Sequence, residues 1–255
     1  VARLVGITRV RNEAAIIADT LDHFSQWCDG GIIVYDDCST DDTVAIASAH
    51  PSTQVGKDRF GDGVIEQFEP WQTDRTREEW RHRQILLEAA RVREPEWIIY
   101  FDADERLEWD GKLPEDPEVD AVYFDLYDAY CTEGNSDQLL SLSTANRRFG
   151  PEYRRIVFAY RNLPEMRYYR PDQRIVHGYH NACFGGCCKH FGKAISVEEW
   201  ESTCDYYIRW FPEPYKTKWR ARKGKAIHTE SDFGRPLYTW EEAKAHAVCI
   251  GGLPW

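Results

Sequence analysis

The sequence predicts an α/β protein built on a largely parallel sheet. Short apolar segments rich in β-branched residues alternate with segments whose apolar residues recur at helical spacing, the pattern of successive βαβ units. A second observation concerns where the polar residues cluster. TRVRNE closes the first apolar segment, DDCSTDD follows the second and DADE follows the fourth. Ligands of open parallel sheets bind at the carboxyl ends of the strands, so the three clusters point to one site on one edge.

The elements follow in order. RLVGITRV (3–10) reads as the first strand, and RNEAAIIADTLDHFSQWC as a helix with Ile16, Ile17, Leu21 and Phe24 on one face. GIIVYDD (31–37) is the second strand. In STDDTVAIASAH, Ser39 and Thr40 precede an alanine-rich helix, and Asp41 and Asp42 suit its N-terminal end. VIEQFE reads as a third strand. REEWRHRQILLEAARV reads as a helix that turns Trp80, Ile85, Leu86 and Ala89 inward, and 97–101 is the fourth strand. Past residue 120 the pattern loosens. AVYFDLYDAY reads as a strand that turns polar, 147–179 is dense in Arg and Tyr and broken by prolines, and VEEWESTCDYYIRWF reads as a helix.

Bulk properties narrow the function. The net charge of −11 over 255 residues argues against a general nucleic-acid partner, which needs a basic face. No apolar run approaches bilayer length, and with no export signal at Val1 the expectation is a cytoplasmic protein with reduced cysteines. CFGGCCKH (183–190) brings Cys and His close together, but a structural zinc site wants a second, well-spaced pair. YKTKWRARKGK (215–225) is basic and aromatic. It suits a solvated helix face, a loop closing over a phosphate, or a weak contact with an anionic membrane surface.

WIIYFDADERL raises the sharpest chemical question. Its apolar strand runs into Asp102, Asp104 and Glu105, and like charges that close repel unless a cation lies between them. A divalent metal with oxygen ligands is the expected cation. In an extended segment Asp102 and Asp104 share a face while Ala103 points away. Glu105 is expected to brace the loop.

VRNEAAIIADTLDHF, IIVYDDCSTDDTVAIA and WIIYFDADERL together resemble a family 2 glycosyltransferase of the GT-A fold, and within it the bacterial cell-surface glucosyltransferase branch with NE and DADE motifs. The likeness covers roughly the first 110 residues, with weaker echoes in RRIVF, RIVHGY and CKHFGKAISVEEW. It implies a Rossmann-like mixed sheet with helices on both faces and an irregular acceptor side. One domain is expected over 1–255, with a nucleotide-sugar-binding half (1–115) and an acceptor half with a C-terminal extension (116–255). The implied activity moves a sugar from a nucleoside diphosphate donor, UDP-linked by preference, to a glycan or lipid-linked hydroxyl acceptor, with inversion expected. Asp102 and Asp104 match the DxD pair that holds Mn²⁺ or Mg²⁺, and His190, with His177 next in line, matches a later histidine that completes the metal shell. Asp37 matches the acid that meets the uracil imino group. Thr8, Arg9 and Glu13 fall in the loop against base and ribose, and Arg83 and Asp102 fall near the nucleotide. A ligating imidazole is neutral, so acid near pH 6.5 is expected to weaken the site.

One departure stands out. Gly178 occupies the position after His177 where the branch carries Glu, which leaves the general base open. Asp172 is the nearest candidate, with Asp125, Asp128 and Glu152 behind it; a retaining outcome also stays open. Trp71, Trp210 and Trp219 are expected acceptor contacts. The rivals are a nucleotidyltransferase, for which TRVRNE lacks the glycine-rich phosphate loop, and a nucleotide-sugar or glycan-binding domain without turnover.

Overall fold

The computed structural model describes residues 3–54, 63–66, 75–135, 142, 146–170 and 174–251, with side chains of the 75–91 helix described from residue 79. The regular half begins with β1 (Leu4–Val10), α1 (Ile17–Ser25), β2 (Ile32–Asp36), α2 (Thr43–Ala49), α3 (Pro51–Gln54) and β3 (Val64–Glu66). It continues with α4 (Arg75–Arg91), β4 (Trp97–Tyr100) and β5 (Glu105–Glu108). β6 (Ala121–Tyr130), β7 (Arg148–Arg161), β8 (Ala182–His190), α5 (Val197–Trp210), α6 (Tyr215–Arg222), α7 (Trp240–Ala245) and β9 (Val248–Gly251) follow.

These strands form one mixed sheet in the order β3-β2-β1-β4-β7-β6-β8-β5, with β9 paired to β7. β3, β2, β1 and β4 are mutually parallel, and β7 joins them antiparallel to β4. Helices cover both faces. Ile17, Leu21 and Phe24 of α1 pack with Leu4, Ile32, Val34 and Ile99, while Leu86, Leu87 and Ala90 of α4 pack with Val5, Ile7, Ile33 and Ile98 on the opposite face. Strands buried on both sides read as continuous apolar runs, which is how β1, β2 and β4 appear in the sequence. The α/β fold with a mixed sheet and helices on both faces is therefore the one observed.

Several local expectations are corrected. Ile85 is 45% exposed and the buried face of α4 runs through His82, Arg83, Leu86, Leu87 and Ala90; two polar residues face inward there. The acceptor half is more regular than its composition suggests. Fourteen residues of the Arg- and Tyr-rich region form β7, whose arginines are matched by Asp128, Asp125 and the Trp97 ring. CFGGCCKH lies in strand β8, hydrogen-bonded to β5 on one side and β6 on the other. All eight cysteines are free.

Candidate active site

β1 and β2 end in register, with Val10 beside Asp36, so the segments after them leave the sheet side by side. The second serves largely to hold the first. Asn12 N–H donates to Ser39 Oγ (2.9 Å), Glu13 N–H to Thr43 Oγ1 (2.7 Å) and Ala14 N–H to Asp41 Oδ2 (3.1 Å). Asn12 Oδ1 in return accepts from Thr40 N–H at 2.7 Å. The polar residues of DDCSTDD are thus engaged in shaping the RNE loop.

Arg9 and Asp37 come together as an ion pair. Arg9 Nη2 lies 2.6 Å from Asp37 Oδ2 and Nη1 3.5 Å from Glu79. Burial works against the Arg9 charge, but Glu79 and Asp37 outweigh it and raise its pKa. Asp37 is itself buried, so the cation lies over it. Arg83 pairs with Glu79 at 3.2 Å and lies over the Tyr100 ring. Thr8 is fully buried, its hydroxyl without a partner among the described residues, and it stands inside the sheet.

The acid cluster follows β4. Phe101 and Asp102 lead into a turn at Ala103 and Asp104 before β5 begins at Glu105, so this segment is not extended and its two aspartates face different partners. Asp102 accepts from Tyr100 Oη at 2.7 Å and lies 3.2 Å from Arg174 Nη1. Arg174 also pairs with Glu105 and sits over the Phe158 ring. Burial opposes the Asp102 charge, but Arg174 and Arg83 hold the carboxyl below the usual range. Glu105 accepts from the Asp102 N–H at 2.8 Å, which is the bracing role expected of it.

Asp104 faces His190. The antiparallel pairing of β5 and β8 sets Glu105 opposite His190, and the parallel pairing of β6 and β8 sets Asp128 beside it. His190 Nε2 lies 3.3 Å from Asp104 Oδ2, and Nδ1 lies 2.6 Å from Asp128 Oδ1. Burial disfavours the imidazolium, but Asp104 and Asp128 raise the pKa to about 10. This corrects the expectation of a titration near pH 6.5: a divalent cation would compete with a proton at this ring well into the alkaline range. His177 is elsewhere, tilted against the Tyr169 ring and bridged to Arg167.

The described residues contain no preassembled group of three metal-ligating side chains. The donor set nonetheless fits a divalent cation. Asp104 offers oxygen and His190 offers nitrogen, with Asp128 fixing the ring from behind as carboxylates do for metal-bound histidines. Gly192 leaves the space between them: a Cβ there would stand 2.7 Å from Asp104 Oδ2 and 3.0 Å from His190 Nε2.

These groups line a cleft of about 600 Å³. Arg9, Glu79 and Arg83 form one end, Asp102 and Asp104 the middle, and Arg154, Lys218 and Phe233 the other end. α5 and α6 make the opposing wall, joined through Tyr207 stacked on Trp219 at 4.3 Å. Trp219 is mostly buried in that wall, Trp210 does not line the cleft, and Trp71 and Asp172 lie outside the described residues.

Two carboxyls in the cleft have no ion pair among the described residues, Glu13 and Glu199. Burial and then Asp104 push Glu13 well up, and burial and then Glu198 raise Glu199. In the sequence, Glu199 is marked only by its place in the matched segment CKHFGKAISVEEW. Asp125 and Glu152 stand off the cleft, paired with Arg155 and Ser231. Asp128 lines it, but although burial opposes its charge, Lys193 and His190 hold it well below the usual carboxylate range. Gly178 has φ +111°, and a Cβ there would lie 2.3 Å from the Glu165 carbonyl oxygen. This backbone has no room for the acid found in the similar branch.

A family model described as glycosyl transferase family 2 matches residues 7–193. No curated protein matches the sequence. Among solved structures, TarS of S. aureus aligns over 86% of this chain and 42% of its own, at 13% identity and a TM-score of 0.42. Glucosyl-3-phosphoglycerate synthase of Mycobacterium tuberculosis, solved with Mn²⁺, UDP-glucose and phosphoglyceric acid, aligns over 84% and 82% at 15% identity and a TM-score of 0.41. Mannosyl-3-phosphoglycerate synthase of Rubrobacter xylanophilus aligns over 74% and 66% at 13% and 0.34. Likeness at this level says nothing about donor or acceptor. No described helix is long and apolar enough to cross a membrane.

Proposed function

The chain belongs to glycosyl transferase family 2, and we propose that it transfers a sugar from a nucleoside diphosphate donor, UDP-linked by preference, to a hydroxyl acceptor with inversion. The observation that supports this reading best is the Asp104–His190–Asp128 array at the carboxyl edge of the sheet, with the Gly192 gap beside it. Asp104 and His190, with Asp102, would hold Mn²⁺ or Mg²⁺. Such a cation supplies Lewis-acid stabilisation of the charge that grows on the leaving diphosphate.

The chain's own groups have separate tasks. Arg9 and Arg83 form the nucleoside end, where the buried Asp37 orients Arg9 and through it would meet the base. Asp128 keeps Nδ1 of His190 protonated and so turns Nε2 toward Asp104. Glu199 suits the proton acceptor for the attacking hydroxyl. It faces the cleft, has no cationic partner among the described residues, and its carboxyl is held above the usual range. Glu13 is more closely tied to Asp104 and belongs to the donor side.

A thermal-shift screen of UDP, GDP and CDP, with and without Mn²⁺, tests the donor side, because a ligand that binds the native state raises Tm by mass action. A Mn²⁺-dependent shift largest with UDP is expected, and Asp37→Asn should flatten the ranking. No nucleotide shift in the wild type would refute the donor assignment. Release of UDP from UDP-glucose by the protein with Mn²⁺ separates a transferase from a domain that only binds.

A further inference from the structure

The end of the cleft beyond His190 carries a charge pattern that the donor reading does not use. Arg154 pairs with Asp128 at 3.1 Å, Lys193 bridges Asp128 (2.7 Å) and Asp232 (3.0 Å), and Arg222 pairs with Asp232 at 2.6 Å. Lys218, on the same helix as Arg222, has no ion pair or side-chain hydrogen bond among the described residues, and it too lines the cleft. Four cations thus meet two carboxylates in a chain whose net charge is −11. Burial and then Arg222 lower the Lys218 pKa, Asp232 opposes them, and Lys193 and Arg154 add to the lowering; on balance its ammonium stands in a positive field. Phe233, 55% exposed, and Ile250, 38% exposed, line the same end.

Resting on the family 2 reading, we propose that the acceptor is an anionic sugar whose phosphate or carboxylate docks on Lys218 and Arg154, with its ring against Phe233. Position decides between acceptor and donor. The nucleoside end is set by Arg9 and Arg83, and His190 turns Nε2 to Asp104 and Nδ1 to Asp128, so the Lys218 end lies on the far side of the imidazole from the acid pair. An unpaired ammonium beside Arg and Lys is disfavoured unless an anion joins it, and a phosphate or carboxylate can take charge-assisted hydrogen bonds from several of these donors at once. The aromatic face supplies contact for the C–H side of a sugar ring.

The test uses calorimetry and ligand-observed NMR on the full chain with UDP and Mn²⁺ present. Glucose 6-phosphate, glucuronic acid and glucose are the probes. One or both anionic sugars should bind at least tenfold more tightly than glucose, and which one binds separates phosphate from carboxylate. Loss of one charge-assisted contact in Lys218→Ala should weaken that probe by roughly tenfold or more, with UDP affinity unchanged. Lys218→Arg should restore most of it. Lys218 lies on an exposed helix face, so folding is not at stake, and a melting curve checks it. Equal binding of glucose, or binding of no anionic sugar, overturns the proposal. A Lys218→Ala loss confined to UDP also overturns it and assigns the lobe to the donor diphosphate. Failure of UDP to bind the wild type counts against the donor assignment alone, because the probes still report on the Lys218 end of the cleft.

Discussion

Adding one methyl group at Gly192 probes the geometry of the site with little other disturbance. Its Cβ would stand 2.7 Å from Asp104 Oδ2 and 3.0 Å from His190 Nε2. To reach ordinary van der Waals separation of about 3.5 Å, the carboxylate must withdraw by roughly half an ångström or more. Metal–ligand distances tolerate only about 0.2 Å, and misplacement of a reacting group by about 1 Å costs on the order of a hundredfold in rate. Gly192→Ala should therefore lower turnover by roughly 10- to 100-fold and weaken UDP binding in Mn²⁺ by a similar factor. The fold should barely notice. Overpacking costs about 1 kcal/mol or somewhat more, and the loss of glycine's freedom in the unfolded chain returns about 0.4–1 kcal/mol, so Tm should move by only a few degrees, about 2–4 °C per kcal/mol for a chain of this size. Calorimetry with UDP and Mn²⁺, a donor-hydrolysis assay and a melting curve give the three readings. Wild-type affinity and turnover in Gly192→Ala would refute the placement of Asp104 and His190 at the donor diphosphate.

Three further outcomes are expected. Arg174→Met leaves the fully buried Glu105 without its cation and should cost about 3 kcal/mol in urea unfolding; Glu105→Gln in the same chain should recover most of it, and no recovery would mean Arg174 acts by packing alone. His190 has a folded pKa raised to about 10, against about 6.5 unfolded. Its contribution to stability is then complete below about pH 6.5 and is lost as pH rises through 10. Unfolding free energy should fall more steeply from pH 7 to 10 in the wild type than in His190→Gln, and parallel profiles would count against the paired imidazolium. Glu199→Gln should lower kcat by about a hundredfold or more with UDP affinity intact, and retention of full kcat would remove Glu199 from the proton-accepting role.

How much of this was legible in the sequence depended on where each residue finds its partner. β1, β2 and β4 are buried on both faces, so their apolar runs announced them, and the polar segments after them marked the sheet edge. β7 was hidden because its arginines reach partners across the sheet, Asp128, Asp125 and the Trp97 ring, which no local pattern records. Ile85 is exposed against its apolar character because His82 and Arg83 take the inward positions of α4, bonded to Arg9 and Glu79. His190 could be found through its matched segment. Arg174 stands in another matched segment, RIVHGY, but the aspartate it pairs with is 72 residues away, so no local pattern marks it.

Arg174 changes the answer to the question posed by the acids after β4. Crowded carboxylates require a cation, but the protein supplies two. Arg174 lies against Asp102 and Glu105, and His190 against Asp104. The charge of the cluster is therefore largely balanced within the fold, and repulsion alone no longer argues for a metal. What still argues for one is the manner in which His190 is held. A histidine needed only as a counter-charge has no use for Asp128 behind it or for a glycine beside it, whereas a ligand has use for both: the carboxylate fixes the ring and makes Nε2 a stronger donor to a cation that displaces its proton, and the glycine leaves that cation its space. A divalent ion entering here displaces a proton and meets carboxylates already partly neutralised, so its hold on the protein alone is weak. On the proposed function, the diphosphate of the donor would supply the missing negative charge, making cation and donor mutually dependent ligands of this cleft.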